Sequence, residues 1–406
     1  MKHLKIIFRT ILGLFITSVQ PLSAYAQHDY SPEYYDSVEV SLLTCQPHDE
    51  IYSLYGHTAI RWHNLHHGAE SEDLAFNYGV FDFKKPYFVA RFVFGLTDYE
   101  LGAYPFKYFL AEYRHFGSMV TEQVLNLTGA EKSRLHQALD TNLQPANRIY
   151  RYNYFYNNCT TKARDIIEQC ISGKIEYAGN EGDNPSYRDM VHEMTRQHPW
   201  ARFGNDVLLG VKADQPTGRR QQEFLPNNLM YDFDHAQIYD NGLYRPLVKE
   251  RRIAVPGGVQ MVKEGFPLSP HTCGWILAAL GTLLLWWQWK RGKAFLACDL
   301  LMMIASGAVG IVLTLMLFSQ HPTVSLNLQL VFFNPLHWVF LWPVFKGRTR
   351  RYWMAVAMLF VLYIAGQALQ TYAEGLWAVA YCLLLQSCIH LQMGTQAMSN
   401  KWTRKQ

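Results

Sequence analysis

Apolar and polar positions alternate along the first two thirds of the chain and merge into long apolar runs in the last third. "SVEVSLLTC", residues 37–45, alternates well enough to predict a strand. "SLYGHTAIRWHN" follows, with Gly56 as a bend and a period-2 run opening at His57, so His57, Ala59 and Arg61 share one face. "LAFNYGVFDF", 74–83, predicts a second strand, and the polar stretch between the two a hairpin loop. An aromatic-rich region, 81–116, reads as core, with a face turned to a bilayer or to acyl chains as the alternative. Within it Phe106, Phe109, Leu110 and Tyr113 have the spacing of a short amphipathic helix. A strand near 118–127 comes next. Thr128 with Glu131 forms a capping box for a helix to about Leu143. "RIYRYNYFY" predicts a further strand, and Ala163, Ile166, Ile167 and Cys170 a helical stripe that starts at Cys159. Later, "DMVHEMTRQ" and "PNNLMYDFDHA" read as helical, and "GLYRPLVKERRIAV" as extended chain leading to a membrane. The pattern is α+β: an antiparallel sheet with helices on one side.

Five later stretches, 273–289, 295–318, 327–345, 352–370 and 376–393, are apolar enough to be read as bilayer spans of roughly 20 residues each. Lys290, Arg291 and Lys293 follow the first span. Lys346, Arg348, Arg350 and Arg351 follow the third, and Lys401, Arg404 and Lys405 the fifth. Loops 319–326 and 371–375 carry no Lys or Arg. Positive loops stay in the cytoplasm, so the preceding domain belongs outside. Residues 1–26 have a signal-peptide pattern: Lys2, Lys5 and Arg9, an apolar run Ile11–Val19, and Ala24-Tyr25-Ala26 as a cleavage site, with an uncleaved anchor as the alternative. The expected domains are 1–26 signal peptide, 27–268 exported domain and 269–406 an all-α five-helix transmembrane bundle with a cytoplasmic C-terminus. The expected location is the cytoplasmic membrane, multi-pass, with the exported domain on its outer side.

A net charge of +4 over 406 residues gives no argument for nucleic acid. The exported domain holds only Cys45, Cys159 and Cys170. Cys45 and Cys170 are free to pair in an oxidising space and leave Cys159 alone, or none pairs. No zinc spacing is present. His63, His66 and His67 read as a solvated hairpin tip rather than a metal site, and no metal or cofactor is expected. Two sequons, at Asn126 and Asn158, are read as coincidence.

Cys159 falls at the first turn of its helix. Asn158 is the natural N-cap, also counted as a substrate-binding candidate, and Thr160 and Thr161 fill the opening turn. Helix-terminal N–H groups favour a thiolate. A nucleophilic thiol needs a proton acceptor, and His57 is the candidate, since Gly56 lets the chain bend just before it. The bland alternatives are a structural thiol and a satisfied core histidine. The hairpin after His57 centres near residues 67–69, which brings residues 77–80 opposite it. Asn77 falls there and is the candidate to orient the imidazole, with Asp82 as the other choice. Arg61 and Arg91 are candidates for a lipid phosphate, against plain solvated surface.

"SLYGHTAIR", "FNYGVFDF", "YFYNNCTTKARDII" and "LLGVKADQP…EFLPNNLM" together resemble the Lnb-type periplasmic domain family of Bacteroides-type lipoprotein N-acyltransferases, over about residues 38–235. The exported domain is also similar to circularly permuted papain-like folds, in which histidine precedes cysteine. NlpC/P60 hydrolases and lecithin:retinol acyltransferase-like enzymes share that order. Asn158-Cys159 is similar to the cysteine motif of the latter, but Thr160-Thr161 replaces its aromatic-containing continuation. The resemblance implies a Cys-His acyltransferase that moves an acyl chain from a membrane phospholipid, through a cysteine thioester, to the N-terminal amine of a diacylated lipoprotein. The alternatives are a membrane-anchored cysteine peptidase or amidase acting on peptidoglycan, which the same dyad would serve, and a non-catalytic scaffold. Asp299, inside a span, hints at some role there.

Overall fold

The computed structural model describes residues 31–65, 72–82, 86–178, 184–259, 265–348 and 350–403. The signal-peptide segment, His66 and His67 lie outside the described residues. The strands are β1 Val38–Cys45, β2 His57–Asn64, β3 Asp73–Val80, β4 Asp98–Pro105, β5 Val120–Leu125, β6 Ile149–Arg151, β7 Lys174–Glu176, β8 Gln237–Asp240, β9 Leu243–Pro246 and β10 Val248–Val255. Seven form one antiparallel sheet in the order β10-β5-β1-β2-β3-β4-β6, and β7-β8-β9 form a small second sheet. In the exported part the principal helices are α1 Phe88–Val93, α2 Phe106–Phe116, α3 Gly129–Leu143, α4 Cys159–Cys170, α5 Tyr187–Met194, α6 Pro199–Leu208 and α7 Pro226–His235.

Helices cover both faces of the large sheet, not one. On one face Val40, Leu42, Ile60, Trp62 and Phe76 pack with Leu135 and Leu139 of α3, Ile166 and Ile167 of α4 and Phe233 of α7. On the other, Leu43, Cys45, Ala59, Ala75 and Val120 pack under Phe106, Phe109 and Tyr113 of α2. β1 is buried almost throughout, so its two side-chain sets both need cover. Cys45 and Cys170 belong to these opposite faces, and every described cysteine is a free thiol.

Two other expectations change. The strand expected over "RIYRYNYFY" stops at Arg151, because Asn153 and Asn157 close a turn on each other, with N···O distances of 3.0 and 2.8 Å. Arg61 lies flat against α2, its guanidinium 3.9 Å from the Phe106 ring. It pairs with Asp73 at 2.8 Å and with Glu122 at 2.9 Å. These acids occupy the guanidinium that was a phosphate candidate. Arg91 is more open, and bonds Asp98 and the Leu96 carbonyl.

The tail forms four long helices, α8 Pro270–Arg291, α9 Leu296–Met316, α10 Arg350–Gly366 and α11 Leu376–Thr403. Among the described residues only α9 is long and apolar enough by itself to cross a membrane, and Leu376–Gln392 is a shorter apolar stretch. The third expected span is not one helix. It is a 3₁₀ turn, Leu328–Val331, and two short helices, Leu336–Val339 and Leu341–Phe345. Pro335 and Pro343 interrupt the ladder, and His337 and Asn334 satisfy freed groups such as the Phe332 carbonyl. Gly310 and Gly307 of α9 make room: a Cβ on Gly310 would meet the Asn334 backbone at 2.4 Å, and one on Gly307 the Trp338 ring at 2.0 Å. Irregular backbone buried this way is tolerated in a membrane domain. Outward-facing Trp275, Leu280, Leu283, Trp286, Leu301 and Val361 leave the bundle with an apolar exterior. Inside, Asp299 bonds His390 at 2.8 Å, and His390 stacks on Trp353.

The tail is fastened to the exported domain by buried amides. Asn327 Nδ2 donates to the Val207 carbonyl at 2.8 Å, Gln329 Nε2 to that of Asp206 at 3.0 Å, and Gln370 Nε2 to that of Leu209 at 3.0 Å. Gly210 N–H donates to the Thr323 carbonyl at 2.8 Å. A second contact joins α1 to the loop after α9, where Ser319 Oγ and Gln320 N–H reach the carbonyls of Val93 and Phe94.

Candidate active site

His57 is the first residue of β2. Gly56, at φ 76°, turns the chain into it, and a Cβ there would meet the Cys45 carbonyl oxygen at 2.6 Å, so only glycine fits. β2 pairs with β3 so that Ile60 faces Phe76, a register that carries His57 to a place opposite Gly79. Gly79 has no side chain to obstruct the imidazole: a Cβ would sit 2.6 Å from His57 Cε1.

His57 Nε2 lies 2.9 Å from Asn77 Oδ1. The same oxygen accepts the Gly79 N–H at 2.6 Å, and Asn77 Nδ2 donates to the Tyr104 hydroxyl at 2.8 Å. These bonds fix which end of the amide faces the ring. Nε2 is therefore the donor, and the neutral imidazole keeps Nδ1 as an acceptor. Asp82 is solvent-exposed beyond the end of β3.

Cys159 opens α4. Its helix start is held by a capping box, with Thr161 N–H to Asn158 Oδ1 and Asn158 N–H to Thr161 Oγ1, each 2.9 Å. Asn158 Nδ2 is spent on the carbonyls of Tyr154 and Phe224, and the residue is buried. Its polar groups are engaged in the cap and with these two carbonyls. Thr58 Oγ1 and Thr160 Oγ1 meet at 3.1 Å, which stitches the start of α4 to β2 beside His57.

Burial pushes the Cys159 thiol up. The charge and hydrogen bond of His57, the backbone N–H of Thr58 and the hydroxyl of Thr160 more than offset it and bring the thiol down to about 7. In His57, burial favours the neutral ring, but the charge and hydrogen bond of Cys159, the carboxylate of Glu112 and the bond to Asn77 raise its pKa above the ordinary value. The two groups thus favour a thiolate–imidazolium pair. Desolvation raises the pKa of Glu112, on α2, while the charge on His57 pulls it back.

The structure thus brings Cys159, His57 and Asn77 together and leaves Arg61 and Arg91 engaged elsewhere. The sequence did not point to Thr58, Gly79, Tyr104 or Glu112. A glycine two residues after Asn77 in a strand was the one available signal, since it marks close approach of another group. Among the described residues no cluster of side chains is arranged to hold a metal ion.

Residues 25–196 match the family model for the Lnb N-terminal periplasmic domain, and residues 262–397 that for the Lnb transmembrane domain. No curated protein matches the chain, and no solved structure does. A periplasmic domain followed by a transmembrane domain makes this a membrane protein with a periplasmic part, an arrangement consistent with a lipoprotein-modifying membrane enzyme.

Proposed function

We propose, from the premise that the chain belongs to the Lnb-type family by both its periplasmic and its transmembrane domain, that it is a lipoprotein N-acyltransferase of a bacterial inner membrane. It takes an acyl chain from a phospholipid and delivers it to the N-terminal amine of a diacylated lipoprotein. The observation that carries this is the line Cys159, His57, Asn77 in a domain bolted to a membrane bundle by buried amides. The bundle crosses the membrane several times, with loop 319–326 on the periplasmic side.

In the first step the Cys159 proton passes to His57 Nδ1, and the thiolate attacks the ester carbonyl. Thr161 N–H is spent on the cap and Lys162 N–H begins the helix ladder. The N–H groups of Cys159 and Thr160 are the first-turn donors left for the oxyanion. The C–O bond breaks, His57 returns its proton to the departing glycerol oxygen, and lysophospholipid leaves an acyl thioester. The lipoprotein amine then attacks, His57 takes its proton, and the released thiolate takes that proton back. Asn77 holds the tautomer throughout. We read the histidine-before-cysteine order as a permuted papain-like arrangement.

The test is mass spectrometry of lipoprotein N-termini from cells with the gene, without it, and with Cys159→Ala at matched expression. Triacylated N-termini only with the intact gene support the proposal. Triacylated N-termini in the Cys159→Ala cells, or muropeptide release dependent on Cys159, move the function to another class.

A further inference from the structure

A row of aromatic rings leads away from the Cys159 sulfur toward the membrane domain. Tyr99 of β4 and Tyr152, just after β6, both lie within electrostatic reach of the sulfur and stack on each other with centroids 4.0 Å apart. Phe92 of α1 stacks against Tyr152 at 6.1 Å. Phe81 stacks on Tyr99 at 4.8 Å and on Phe88 at 5.7 Å. Tyr99 is buried, while Phe81, Phe88, Phe92, Tyr152 and Cys159 are only partly buried, so the row has an open side with Tyr99 as its floor.

The far end of the row is fixed. His321 Nε2 donates to the Phe92 carbonyl at 3.0 Å, and its ring lies 6.2 Å from that of Phe92. A Cβ on Gly95 would meet Gln320 Cβ at 3.1 Å, so loop and α1 are in close contact. That loop leaves α9, the helix long and apolar enough to span a bilayer. The aromatic row therefore joins the thiol to the end of a membrane helix.

We infer that this row, Tyr99 and Tyr152 continued by Phe92, Phe81 and Phe88, is the surface along which the donor's acyl chain lies as it passes from the bilayer to the thiol. This rests on the acyltransferase function proposed above. A chain drawn out of the bilayer loses its apolar surroundings unless an apolar surface replaces them. Aromatic faces supply one at low entropy cost, since each ring has two rotatable bonds. The only charged side chain of α1, Arg91, is bonded to Asp98 and to the Leu96 carbonyl.

The test uses the full-length protein in detergent micelles with two donors: a long-chain phosphatidylethanolamine, and p-nitrophenyl butyrate, whose acyl chain has only four carbons. Acylation of Cys159 is followed by intact mass and by the nitrophenolate burst. Phe92→Ala and Phe88→Ala should slow acylation by the phospholipid about tenfold or more and leave the burst within about twofold, while Phe92→Leu should restore most of the phospholipid rate. The burst also shows that each variant is folded. Equal losses on both donors, or no loss on either, would overturn the inference and leave the thiol chemistry standing. Wild-type protein that takes an acyl group from neither donor would overturn the acyltransferase proposal itself.

Discussion

Asn77 holds His57 by a single carboxamide oxygen, 2.9 Å from Nε2, and is itself held by Tyr104 at 2.8 Å. The imidazole is therefore aligned through Asn77 by a neutral chain of hydrogen bonds, and the carboxylate of Glu112 acts on it by charge alone. Such a chain sets a tautomer and a direction but adds no charge. Asn77→Ala should slow Cys159 acylation by about 100-fold through lost alignment. His57→Ala should lose more. Tyr104→Phe should cost less than either. Single-turnover acylation of the three variants by a soluble ester gives the order; Asn77→Ala at wild-type rate would contradict it.

The space under the imidazole is as specific as its partner. A methyl group on Gly79 would lie 2.6 Å from His57 Cε1 and 3.0 Å from Asn77 Oδ1. Gly79→Ala should displace the ring, raise the pH needed for Cys159 alkylation and depress activity, with the thermal unfolding temperature little changed. A variant with normal alkylation and normal activity would show that the ring has room to spare.

The pH dependence follows from the sign of the two shifts. The Cys159 pKa is lowered to about 7, so the thiolate is lost as pH falls through that value. Iodoacetamide alkylation of wild-type protein should have its midpoint near there. His57→Ala removes the cation and leaves the burial penalty, so the midpoint should move up. The carboxylate of Glu112 raises the His57 pKa. Glu112→Gln should therefore lower it, and the alkaline limb of the activity profile should shift to lower pH with the acid limb less affected. An unmoved alkaline limb would mean that the two groups do not sense each other.

Arg61 separates packing from substrate binding. Its guanidinium lies between Asp73 and the nearly buried Glu122, with side-chain exposures of 12%, 28% and 4%. Arg61→Leu leaves carboxylates without a counter-charge and should destabilise the protein by about 3–5 kcal/mol. At a temperature where the variant remains folded, its KM for phospholipid should be unchanged. A raised KM with normal unfolding would return Arg61 to the role of a head-group ligand.

The junction with the bundle rests on the buried amide of Asn327. Asn327→Ala removes the donor to the Val207 carbonyl and the acceptor for Gln370, inside buried structure. It should cost about 1–3 kcal/mol for the unsatisfied groups, keep the protein in the membrane, and lower acylation of lipoprotein more than acylation by a soluble ester. Equal rates on both would show that the bundle serves only as an anchor.

Much of this was readable before the structure. Period-2 alternation marked β1, β2 and β3 because successive side chains of a strand point to opposite faces of the sheet, and the hairpin centre brought the window 77–80, which holds Asn77, opposite His57, with Gly79 as the residue directly across. The Thr128–Glu131 box and the Cys159 helix stripe lie where α3 and α4 form. The aromatic region hid α1 and β4, since rings on both faces erase any period. The third apolar stretch read as one span because hydropathy does not register that Pro335 breaks a helix, or that His337 and Asn334 tie up the freed carbonyl of Phe332. Arg61 looked available because its acids, Asp73 and Glu122, lie 12 and 61 residues away in sequence.

In the proposed function the Cys159 sulfur carries the acyl chain between two substrates. Purified full-length protein is placed in vesicles of phosphatidylethanolamine with an isotopically labelled acyl chain, and its intact mass is followed before and after a synthetic diacylated lipopeptide is added. One labelled acyl group is expected on Cys159, removed by neutral hydroxylamine and absent from Cys159→Ala, and this group then moves to the amine of the lipopeptide. Labelled lipopeptide formed at the wild-type rate by Cys159→Ala, or an acyl-Cys159 that loses its chain to water and never to the amine, would contradict the proposed function.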